Sequence, residues 1–260
     1  SPDGRELLVS VTLDRVVDVI DTQQAAIVDQ IPAGDFPHEN EYSEDGELIY
    51  DGSIGRVVTP DNPELDALKG DRWFTIADAE THEVKKVIDF GVGVRPFVVM
   101  PNNRIMYVQL SFFHGFKEYD LKNERYLRTR RLPLHGAAER DNELDSAHHG
   151  LAMNGDRTKI CDAGTVADYV AIVNRKSFKV ERIIEVNKRR SAFSDPTPGD
   201  KPYWAVTSAD GRYCFVANSN SDNVSVISYA TAREIQRFRV GDHPQRMRMA
   251  GVLRTALAAL

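Results

Sequence analysis

The feature that most limits what this chain can fold into is that it keeps starting again. Ser1-Pro2-Asp3-Gly4 leads into the apolar run Leu7-Leu8-Val9-Ser10-Val11 and then into Val16-Val17-Asp18-Val19-Ile20. Ser43-Glu44-Asp45-Gly46 and Ser208-Ala209-Asp210-Gly211 open the same succession of turn and runs, and looser copies begin at Met100-Pro101-Asn102-Asn103 and Asn154-Gly155-Asp156-Arg157. Five restarts make an array, and an array is read as a whole before any local element. Each unit alternates apolar and polar residues over short runs rich in Val, Ile, Tyr and Phe, broken by Asp-Gly type turns, which is strand and hairpin chemistry. No window sustains the period of ~3.6 residues that a helical solenoid needs. Four short strands fit in each unit of roughly 40–60 residues, the make-up of a propeller blade. The expected fold is an all-β propeller of four-stranded blades.

The run Tyr213-Cys214-Phe215-Val216-Ala217-Asn218, followed by Val224-Ser225-Val226-Ile227, resembles the YVTN family repeat. Gly241-Asp242-His243-Pro244 resembles that family's Gly-x-x-Pro lead into the innermost strand, and Gly34-Asp35-Phe36-Pro37-His38 carries the lead with a histidine after the proline. The resemblance covers essentially the whole chain, most closely in the first and fifth repeats. It implies a propeller, often one exported to the periplasm or outside the cell and usually with more than five blades, and it implies no single activity. The sequence opens after one innermost strand and stops just after another, Gln245-Arg246-Met247-Arg248-Met249. Pairing of residues 245–249 with residues 6–11 is therefore expected to close a five-bladed ring, since closure removes exposed strand edges; a slice of a larger ring has the same layout.

Composition narrows the class of partner. With 42 % hydrophobic and 28 % charged residues in 260, the chain has ample core material for one domain spanning 1–260. A net charge of −6 argues against nucleic acid and anionic membranes, which want a basic footprint. The run Lys188-Arg189-Arg190 reads as a solvated surface. No stretch approaches the ~18 apolar residues of a membrane span, and no signal segment is visible. Cys161 and Cys214 lie in apolar runs of different repeats at addresses one position apart, and are expected to be buried, unlinked thiols.

Function is expected at one end of the blades. Connections between strands one and two, and three and four, are short throughout, whereas Gly52–Asp71, Ser111–Gly115, Leu132–Ser146 and Asn187–Lys201 are insertions of the other set. Loops displayed by a rigid scaffold commonly carry function. The first positions of the innermost strands, aligned across repeats, read His38, Arg95, His149, Tyr203 and Gln245, followed by Glu39, Pro96, Gly150, Trp204 and Arg246. Where other repeats hold Val9, Val108 and Val216 in the second strand, two hold Asp51 and Asp162. A carboxylate in such a strand is costly unless it is paired or bound to a cation. Five of the seven histidines, His38, His114, His135, His148 and His149, fall at this end.

Imidazole and carboxylate are a common ligand set for zinc, iron or copper. His38, Glu39, His114 and His149 are accordingly the candidate metal ligands, with a divalent transition metal as the candidate cofactor. Arg95 and Arg246 suit an anionic ligand group, Tyr203 and Trp204 an apolar one, and Asp51 and Asp162 complete the candidate ligand-binding set. No Gly-x-Ser-x-Gly elbow and no phosphate loop before a helix is present. Two function classes follow. One is a small-ligand or metal site at the channel mouth; the other is a non-catalytic scaffold whose loops, acidic at Asp61–Asp66 and Glu139–Asp145, meet a protein or a surface polymer.

Overall fold

A computed structural model describes residues 1–60, 62–134, 146–186 and 199–249. His135, the Lys188–Arg190 run, the Glu139–Asp145 stretch and Asp61 lie outside them. The described chain is all β apart from one 3-10 helix, Pro63–Lys69, which lies in the first long insertion. Sheet A has three strands, β1 Glu6–Val11, β2 Val16–Asp21 and β3 Ala26–Pro32. Four further sheets are antiparallel four-stranded meanders in chain order. Sheet B holds β4 Pro37–Tyr42, β5 Leu48–Ser53, β6 Trp73–Asp78 and β7 Val84–Asp89, and sheet C holds β8 Val94–Val99, β9 Ile105–Leu110, β10 Gly115–Asp120 and β11 Arg125–Arg131. Sheet D holds β12 Leu151–Met153, β13 Lys159–Gly164, β14 Tyr169–Asn174 and β15 Val180–Glu185, and sheet E holds β16 Pro202–Thr207, β17 Tyr213–Asn218, β18 Asn223–Ser228 and β19 Arg233–Arg239. This is a propeller-like all-β repeat with five blades.

The restart motif is a turn with a fixed chemistry. Ser43 Oγ donates to Asp45 Oδ1 (2.6 Å) and accepts from the amide of Leu48 (2.8 Å), while Gly46 takes φ 74°. Ser208 repeats this with Asp210 and Tyr213, and Ser1 with Asp3 and Glu6. In the fourth repeat Asn154 stands in for the serine, its Oδ1 accepting from Lys159 N at 2.8 Å. Side chains that mimic a backbone turn favour this geometry, so the most recognisable sequence signal is also the hairpin-former.

By its contacts the chain divides into two compact units, Ser1–Ala147 with sheets A, B and C, and His148–Leu260 with sheets D and E. The second-strand addresses share one register in all five sheets: Val9, Asp51, Val108, Asp162 and Val216 are each the fourth residue of their strand. Packing follows strand parity. Tyr50, third in β5, packs with Met106 and Val108, second and fourth in β9. Leu8, third in β1, packs against Ile49, second in β5. Odd positions of one blade thus meet even positions of the next, because successive side chains leave a strand on opposite faces.

That parity corrects the expectation for the cysteines. Cys161, third in β13, and Cys214, second in β17, form a disulfide with Cα atoms 6.6 Å apart. Equivalent addresses point the same way around an array and cannot face each other, so an offset of one brings the two sulfurs together rather than separating them.

Ring closure is corrected as well. Residues 245–249 form no strand, and β1 pairs only with β2, so the expected hydrogen-bonded closure with residues 6–11 is not made. The segment is instead in contact with β16 through its arginines: the guanidinium carbons of Arg246 and Arg248 lie 4.7 and 5.2 Å from the ring centre of Trp204.

Candidate binding site

The inner strands begin with an irregularity that sets the site. In sheet B, Pro37 pairs with Ser53 and Glu39 with Gly52, leaving His38 as an extra residue. In sheet E, Pro202 pairs with Asn218 and Trp204 with Ala217, leaving Tyr203. In sheet C the shift falls between Val94 and Phe97, at Arg95 and Pro96. In sheet D the amide of His149 donates to Ala163 O (3.2 Å) and that of Ala163 to Gly150 O (2.8 Å), placing His149 at the same address. A bulge re-aims the side chain of its extra residue, so four of the five non-repeating positions read from the sequence, His38, Arg95, His149 and Tyr203, are bulge positions of their blades, whereas Gln245 lies in no strand.

The second unit brings four of the predicted residues together. His149, fully buried, stacks on Tyr203 with ring centres 4.1 Å apart and an interplanar angle of 27°. Its Nδ1 donates to the Tyr203 carbonyl at 3.3 Å, and Trp204 lies 5.6 Å away, tilted. Arg246 covers Trp204, with Arg248 beside it, and the Lys201 ammonium lies 5.9 Å from the Tyr203 ring centre. Trp204 is buried under this cover, whereas Tyr203 and Lys201 are half-buried and both arginines are exposed. Cations on aromatic faces gain ~0.5–1 kcal/mol each at exposed sites, enough to order the cluster without sealing it.

Asp162, the costly carboxylate of β13, is paired. His148 Nδ1 donates to its Oδ1 at 2.5 Å, with both side chains fully buried, and the Tyr169 hydroxyl reaches His148 Nε2 at 3.4 Å. Burial, then the charge of Asp162, pushes the Tyr169 phenol up, so it stays a donor. Sequence reasoning gave His148 no role; the signal available was its address, where three other repeats hold the proline of the lead, Pro37, Pro202 and Pro244. A second missed residue is Asp168, whose Oδ1 accepts from Lys201 N at 2.9 Å. Burial pushes its carboxyl up to about 6, opposed by that amide and reinforced by the charge of Asp200.

In the first unit Glu39 and Asp51 serve the interfaces between blades. Glu39 Oε2 accepts from the amide of Phe97 (3.3 Å), and Glu41 Oε1 from that of Val99 (3.4 Å). Two carboxylates at strand spacing on β4 thus satisfy the inner edge of β8. Asp51 accepts from Ser10 Oγ (3.4 Å) and Ser53 Oγ (3.2 Å), and Arg95 Nε donates to Ser111 Oγ (3.2 Å). His114 is buried in the loop before β10, and His38 is half-buried at its bulge. Of the four candidate metal ligands, His38, Glu39 and His114 belong to the first unit and His149 to the second. Among the described residues no three His, Cys, Asp or Glu side chains gather at metal-binding spacing. An open cleft of about 600 Å³, lined by Asp156, Lys159, Asp210, Arg212, Tyr213 and Tyr229 among others, lies at the short-turn end of the second unit, an end the sequence had marked as plain.

Among solved structures the chain is similar to the hydrazine synthase of Kuenenia stuttgartiensis, at 13 % identity over 94 % of this chain and 86 % of that one, with a TM-score of 0.57. At that identity the likeness shows the fold alone. No family model matches the chain, and no curated protein matches it.

Proposed function

We propose that the second unit binds a small anionic ligand with a flat or apolar part, at the cluster of Lys201, Tyr203, Trp204 and Arg246. The observation that carries this reading is the bulge at Tyr203: it presents a half-buried ring, backed by His149 and approached by Lys201, next to a Trp204 ring that carries two arginines. Aromatic faces take the apolar part, and the cations take the charge. The YVTN likeness belongs to the same proposal, supported by the turn chemistry that the first, second and fifth repeats share. So does an exported location, supported by the Cys161–Cys214 disulfide, a bond favoured in oxidising compartments.

The chain has two tryptophans, so Trp73→Phe leaves Trp204 as its reporter. A panel of aromatic mono- and dicarboxylates titrated into that variant should include members that change Trp204 emission saturably. Tyr203→Ala should weaken them about tenfold while leaving the melting transition in place. A panel with no saturable response, on folded protein, ends the small-ligand reading and leaves the protein or surface-polymer scaffold.

A further inference from the structure

A second cationic cluster, in the first unit and independent of the site just proposed, lies on sheet C. Lys117 of β10 pairs with Thr129, and Gly115 with Arg131 of β11. Two residues along a strand return to the same face, so Lys117 and Arg131 project together. Both sit on Phe113: the Lys117 ammonium is 5.1 Å from its ring centre and the Arg131 guanidinium carbon 5.0 Å. The Tyr126 ring closes the other side of Lys117 at 4.2 Å. Tyr119 and Phe90 extend this aromatic floor, with Tyr119–Tyr126 and Phe90–Tyr119 centres 5.1 and 4.8 Å apart.

Among the described residues neither cation meets a carboxylate. The charged group acting on Lys117 is the like charge of Arg131, which adds to burial in pushing the ammonium below its usual range. Charges on an edge strand such as β11 ordinarily guard it against strand addition. Lys117 does not fit that role, because β10 is paired on both sides, with β9 and β11. Two like charges kept together over aromatic rings, Lys117 half-buried and Arg131 exposed, with no counter-ion among the described residues, form an arrangement that an arriving anion relieves. The guanidinium offers a planar fork to an oxyanion, and the ammonium a point charge beside it.

We propose that Lys117 and Arg131, floored by Phe113 and Tyr126, form a binding site for the oxyanion group of a small ligand. The probes are inorganic phosphate, inorganic sulfate and acetate, titrated separately into the full chain while the Lys117 side-chain resonances, assigned by their loss in Lys117→Met, are followed by NMR. At least one probe should shift them saturably and raise the pH midpoint of Lys117 as it loads. Arg131→Gln should weaken that binding about tenfold, and Lys122→Met, on the exposed β10–β11 turn, should leave it unchanged. Saturation by acetate alone assigns a carboxylate, and saturation by phosphate or sulfate a tetrahedral anion; either supports the site. Linear, unsaturable shifts from all three, or equal affinities in wild type and Arg131→Gln with both proteins showing native melting, overturn it.

Discussion

Sheets B and C in the first unit, and sheets D and E in the second, meet through the same pair of strand faces but are held by different means. Between B and C the space is filled by rings: Phe74 meets Phe97 edge-on at 5.0 Å and stacks with Tyr50 at 5.7 Å. Between D and E the facing residues are small, Ala152, Ala163, Ala205 and Val216 among them, and the Cys161–Cys214 bond lies in their midst. A ring-filled interface depends on shape and volume, whereas a linked one also draws on the restricted freedom of the unfolded chain. One repeat geometry therefore supports two routes to a stable blade contact, and the two should fail under different treatments.

The largest expected effect is in the ring-filled interface. Phe74 is fully buried, and Phe74→Ala should cost about 3–5 kcal/mol, the range for removing a buried aromatic side chain, read by denaturant unfolding with a probe in the first unit. A cost below about 1 kcal/mol would mean that the rings fill space without holding the blades. Next, the double variant Cys161→Ala/Cys214→Ala should lose about 2–4 kcal/mol from the second unit alone, and a reducing agent should act on wild type in the same way. If both variants lower a single transition shared by all probes, the two units unfold as one and the comparison collapses.

The smallest effect sharpens the comparison within the second unit. The carboxyl of Asp168, pushed up to about 6, favours the folded state when protonated. Its contribution is complete below about pH 4 and is lost as pH rises through about 6. Asp168→Asn keeps an acceptor for the Lys201 amide and should remove this loss, about 1–2 kcal/mol after allowing for solvent at the partly exposed group. Unfolding curves at several pH values between 4 and 7 would check it, and an unchanged slope in the variant would count against the Asp168 assignment.

Strand addresses were legible in the sequence because turn and run repeat together. The fourth-position set of Val9, Asp51, Val108, Asp162 and Val216 holds in every second strand, and His38, Arg95 and Tyr203 are bulge residues. What an address does not carry is the partner across an interface. Glu39 looked like a ligand, yet with Glu41 it caps the amides of β8, a role visible only once the neighbouring edge is placed. The disulfide was misread because its one-position offset was taken as distance, when alternating strand faces make that offset a requirement. Asp162 was marked as needing a partner, but its partner, His148, sat where a proline was the pattern to look for.

The cross-link has a topological consequence. Cys161 and Cys214 are 53 residues apart, and the long insertion at residues 187–198 falls between them. A break in the backbone anywhere in that insertion releases no fragment, since β13 and β17 stay joined through sulfur. A nick in the insertion thus leaves the blades on either side one covalent body, as a nick anywhere else between the two cysteines would.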